Sequence, residues 1–119
     1  MRIIVTVVTA VALSAAAAGA AWAHHGWDPY DSGEQQKFSG PIAQLKWEQP
    51  HAILWVNSGG KSLEVWLSPL QRMVDRGLNK DALSVGKTVT ADAQPHTKNV
   101  NEWKAQSIMV DGKTYDLMR

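Results

Sequence analysis

The chain contains no cysteine. Thiol catalysis, cysteine-ligated zinc and iron–sulfur ligation are therefore excluded, and no disulfide can staple the fold. Phenylalanine occurs once and tyrosine twice, so the six tryptophans carry most of the aromatic area. Neither sign of charge dominates, with 12 Lys and Arg against 11 Asp and Glu. Such a balance offers no electrostatic footprint for a nucleic-acid backbone. No Ser-His-Asp spacing, nucleophile elbow, phosphate-cradling glycine loop or HExxH occurs, and no catalytic constellation is legible.

Long apolar runs are also missing, save one. Met1 and Arg2 are followed by IIVTVVTAVALSAAAAGAA, which ends in Ala21, Trp22 and Ala23. One positive charge, an apolar stretch and a small-x-small end read as a secretory signal peptide over residues 1–23. An N-terminal anchor is the competing reading, but the alanine-rich half is only weakly hydrophobic. Later residues contain no stretch able to span a bilayer as a helix. Cleavage after Ala23 leaves residues 24–119 in the periplasm or secreted, as one small domain. Arg2 departs with the leader, so the remainder is neutral by side chains.

Residues 24–36 are polar and read as an irregular arm. Residues 37–47 read as a strand interrupted at Gly40 and Pro41, the mark of an edge position or a bulge. The clearest pattern spans residues 51–68, where AILWVN and KSLEVWLS flank Ser58, Gly59 and Gly60. A two-residue Gly-Gly turn would set Ala52, Leu54 and Val56 beside Leu67, Val65 and Leu63 on a core face. On the other face Ile53 would oppose Trp66, and Trp55 would oppose Glu64. Ser68 reads as a helix cap, Pro69 as the first helical position, and Leu70, Met73 and Val74 as the apolar stripe, with Gly77 ending the helix. Residues 87–93 alternate, placing Val89, Ala91 and Ala93 on one face. A polar loop over 95–101, a strand over 103–110, an Asp111, Gly112 turn and a short return over 113–117 complete the chain.

The resulting class is mostly β: a small five-stranded OB-like barrel over residues 37–119, with one short helix between strands 3 and 4. An antiparallel meander with one packed helix is the plainer alternative.

Chemistry centres on four histidines: His24, His25, His51 and His96. Cleavage after Ala23 makes His24 the N-terminus, where its α-amine and imidazole can chelate one metal. A second imidazole would complete a nitrogen set suited to Cu(II), which heads the divalent affinity order. His51, opening a strand, is the best candidate for it, and His25 is a substitute or third ligand. Cleavage one residue earlier would place His25 at position three, also a copper-binding arrangement. His96 reads as an exposed loop residue. Met73 and Met109 read as core residues. Asp28 and Asp31 either orient a histidine or form turns. The competing function is an interaction module that takes a peptide or envelope component on a face built from Ile53, Trp55 and Trp66.

The motifs HHGWDPYD, WEQPHAILWV, VWLSPLQRMVDRGL, VTADAQP and IMVDGKTYDL together resemble a family of small exported bacterial proteins of unknown function. The resemblance spans essentially the chain after residue 23. It draws attention to His24, His25, Trp27, Asp31, Trp47, Pro50 and His51 as motif positions. Where that family has asparagine before the Pro-His pair, this chain has Gln49. The resemblance implies no activity. The expected role is thus an exported, noncatalytic binding domain whose partner is a metal ion or an envelope protein or peptide.

Overall fold

A computed structural model describes residues 29–118. The leader, His24, His25 and Trp27 lie outside the described residues. Six strands follow in order: β1 (Gln36–Lys46), β2 (Ile53–Ser58), β3 (Lys61–Trp66), β4 (Thr88–Pro95), β5 (Glu102–Val110) and β6 (Lys113–Asp116). A helix, α1 (Leu70–Asp75), lies between β3 and β4. The sheet order is β3-β2-β1-β4-β5-β6, and a parallel pairing of β3 with β5 closes the first five strands into a barrel. This is the OB arrangement expected from the order of elements.

The β2–β3 hairpin forms in the predicted register. Leu54 pairs with Val65, Val56 with Leu63, Ile53 with Trp66 and Trp55 with Glu64. Gly59 and Gly60 both take positive φ, at 57° and 77°, the conformation that a two-residue turn matched to strand twist requires. Leu54, Val56 and Val65 are fully buried, as are Ala52, Ala91, Ala93 and Ile108. Small side chains beside large ones fill a barrel this narrow; Ala91 faces Ile108 and Ala93 faces Ala105 across β4 and β5. Each fully buried Leu, Val or Ile contributes about 1.5–3 kcal/mol of burial.

β1 is not an edge. Its first half pairs with β4, and its second half pairs with β2. The expected irregularity falls just after Pro41, where the register with β2 shifts between Ile42 and Gln44. Gly40 stands against the Asn57 backbone of β2. A β-carbon there would lie 1.9 Å from the Asn57 carbonyl oxygen, so only glycine fits.

The helix departs from expectation at its start. Ser68 makes no cap; its buried hydroxyl donates instead to the Leu117 carbonyl at 2.7 Å. Val74 is exposed, and the apolar side of this segment is made by Met73 and Leu78. The end follows the predicted form. Leu78 N–H donates to Met73 O and Gly77 N–H to Val74 O, which together make a Schellman closure. Among the described residues no helix is long and apolar enough to cross a membrane. Met109 is exposed rather than core.

Candidate functional site

His51 lies just before β2, half-buried, and its Nδ1 is 3.0 Å from the Leu67 carbonyl oxygen. A carbonyl only accepts, so Nδ1 carries the proton. In the neutral ring Nε2 then presents a lone pair, the tautomer a metal ligand needs. The ring stands 6.2 Å from that of Trp66. Trp66 in turn donates its indole N–H to Glu64 Oε2 at 2.9 Å. Trp55 and Trp66 are half-buried, and Ile53 between them is buried. The face of strands 2 and 3 is the surface on which OB folds commonly take ligands.

Across the closing seam Glu64 pairs with Glu102. Glu102 is the centre of a polar cluster that the sequence reading did not assemble. Tyr30 donates its hydroxyl to Glu102 Oε2 at 2.6 Å, and Asn99 Nδ2 donates to Oε1 at 3.0 Å. His96 Nε2 stands 3.8 Å from the same Oε2. Burial by itself raises the Glu102 carboxyl. The bonds from Tyr30 and Asn99 and the electrostatic influence of the nearby His96 ring outweigh that, holding it below the ordinary carboxylate value.

His96 is therefore not the exposed loop residue expected. Its side chain is only 12% exposed, and its Nδ1 accepts the backbone N–H groups of Lys98 and Asn99 at 3.0 and 2.9 Å. The imidazole thus serves as the acceptor that shapes the loop between β4 and β5.

The remaining motif positions divide in two. Asp31 is a turn former: its Oδ1 accepts from Gly33 N–H at 2.9 Å and caps a 3₁₀ turn at Ser32–Glu34. Trp47 packs partly buried against the core, and Pro50 is exposed after a cis peptide bond. The structure brings His51, Trp66 and Glu64 together, with Trp55 facing Glu64 across the hairpin. His96 belongs to the separate cluster at Glu102. Among the described residues no group of three or more His, Asp or Glu side chains is arranged to hold a metal ion.

Residues 11–103 match a family described as a family of unknown function, DUF6152. The chain belongs to this family. The match takes in the Pro29 to Asp31 arm, the Trp47 to His51 junction, the tryptophan face and the His96 loop. No curated protein matches the chain. Among solved structures, a crystal structure of the S. pombe Stn1-ten1 complex is similar, with 21% identity and a TM-score of 0.51 over 62% of this chain. The match takes up 55% of that chain. At this identity the likeness concerns the fold, and it agrees with the OB-type barrel. This member of DUF6152 is thus an OB-like barrel with an arm laid against the loop between its fourth and fifth strands.

Proposed function

We propose that this DUF6152 protein is an exported, noncatalytic binding domain that holds copper at His51. The α-amine and imidazole of a processed His24 would supply further nitrogens, with His25 as a substitute or third ligand. One observation carries the reading: the Leu67 carbonyl holds His51 in the tautomer that offers Nε2, and the strand start fixes the ring. Neutral imidazole and amine nitrogens suit Cu(II).

Cu(II) titration of the processed protein is the test, beside a form whose α-amine is acetylated and beside His51→Ala. Each change removes a ligand and is expected to weaken binding by on the order of tenfold or more. Equal affinity in the acetylated form overturns the terminal chelate, and unchanged binding in His51→Ala removes His51 from the site.

A second reading follows from the half-buried Trp55 and Trp66 on the strand 2–3 face. There the domain would take a peptide or another envelope component. Tryptophan fluorescence separates the two. Quenching by copper without response to envelope extract favours the metal, and the reverse favours the aromatic face.

A further inference from the structure

The arm is fastened to the barrel by backbone as well as side chains. Asp31 N–H donates to Pro95 O at 2.9 Å, Thr97 N–H donates to Pro29 O at 2.8 Å, and Tyr30 and His96 form an antiparallel bridge. Tyr30 packs edge-on against His96, with ring centroids 5.2 Å apart. Its hydroxyl bond to Glu102 has the length of a charge-assisted O–H···O⁻ bond. Glu102 also accepts from Asn99, and His96 N–H donates to the Glu102 carbonyl at 2.9 Å. One carboxylate therefore joins the arm, the loop and the first residue of β5.

We propose that Tyr30, His96 and Glu102 form a clasp that holds the arm on the barrel at neutral pH and releases it in acid. The charged or titratable groups beside it are Glu64 from β3 and Lys104 of β5, whose Nζ lies 5.8 Å from the Tyr30 ring centroid, while Lys98 of the loop contributes its backbone N–H. One protonation acts on it. A proton on Glu102 neutralises the acceptor of Tyr30 and Asn99, and the clasp then gives way. The sign follows from the lowered Glu102 carboxyl. Its contribution is present above the ordinary carboxylate value and is lost as pH falls through the lowered one. Release frees the arm at Pro29, while β1 to β5 remain paired. The clasp rests on the Tyr30 to Glu102 geometry and is independent of copper.

Amide hydrogen exchange on the metal-free protein tests this, with the amides of β2 as the internal reference. From neutral pH to about pH 3, Asp31 and Thr97 are expected to lose on the order of ten- to a hundredfold in protection relative to β2, after correction for intrinsic rates. Tyr30→Phe should show the low protection already at neutral pH, and Glu102→Gln should flatten the pH dependence. Constant protection in the unaltered protein overturns the clasp. So does loss of protection in the arm and in β2 together, which is global unfolding. The pH series on the unaltered chain decides the matter even if a variant fails to fold. Copper affinity is read separately, so either idea can fail alone.

Discussion

Gly40→Ala is expected to lower the stability of the barrel by about 3 kcal/mol or more, or to prevent folding. The added β-carbon would stand 1.9 Å from Asn57 O and 2.8 Å from Asn57 C, both backbone atoms of β2. A flexible side chain at that spot would swing away. A backbone carbonyl in a strand paired with β1 on one side and β3 on the other has nowhere to go without breaking ladder bonds. Overpacking that a core can absorb costs about 1–3 kcal/mol, and this site lies at the top of that range. In a domain of this size the loss corresponds to a fall in Tm of roughly 12–24 °C. Urea unfolding followed by tryptophan fluorescence measures it. A variant within about 1 kcal/mol of the unaltered protein would show that β1 can move off β2.

Ending the chain at Asp116 is expected to cost about 4 kcal/mol. Leu117 follows β6 and is fully buried. Its N–H donates to Gln106 O at 2.9 Å, and its carbonyl accepts from the buried Ser68 hydroxyl at 2.7 Å and from Arg72 Nη1 at 3.5 Å. Truncation removes a core side chain, worth about 2–5 kcal/mol, and leaves the Ser68 hydroxyl buried without that acceptor, worth about 1–3 kcal/mol. Collapse of the tail and entry of water offset part of the sum. Leu117→Ala isolates the side chain and is expected to cost about 3 kcal/mol, because the main-chain bonds persist. Met118→Ala is the control. Met118 is exposed, and the change should fall within about 0.5 kcal/mol. Denaturant midpoints compare the three. Equal midpoints for the Asp116 truncation and the control would show that the tail does not anchor α1.

The barrel was legible where local chemistry and strand period agree. Gly59 and Gly60 permit one turn, that turn sets the register, and the register decides which side Leu54 and Val65 face. The helix end was legible for the same reason, since Gly77 closes it locally. Its start was not. Ser68 has the residue type of a cap, but Leu117, 49 positions later, takes its hydroxyl. The chemistry divides likewise. The place of His51 just before β2 was legible because Pro50 and an apolar strand flank it. The Glu102 cluster was not, because Tyr30 and Glu102 lie 72 positions apart and no spacing rule links them. His96 sits in a polar stretch with the composition of solvent-facing loops. Its partners are backbone N–H groups, which every sequence has and none advertises.

The barrel closes along one short parallel border, where residues 64–66 of β3 meet residues 102–104 of β5. The other borders join strands antiparallel, and most run further. Closing this border must also bring together segments separated by α1 and all of β4, an ordering of chain that no local turn assists. The cylinder is thus expected to have a kinetic slit. Its transient openings should begin there, leaving a curled, continuous sheet from β3 through β1 to β5. Such an opened sheet presents the unpaired side of β3 as an edge for another strand. Crowded molecules would therefore exchange strands at this border before any other, and the first oligomers formed on mild destabilisation should be joined through β3.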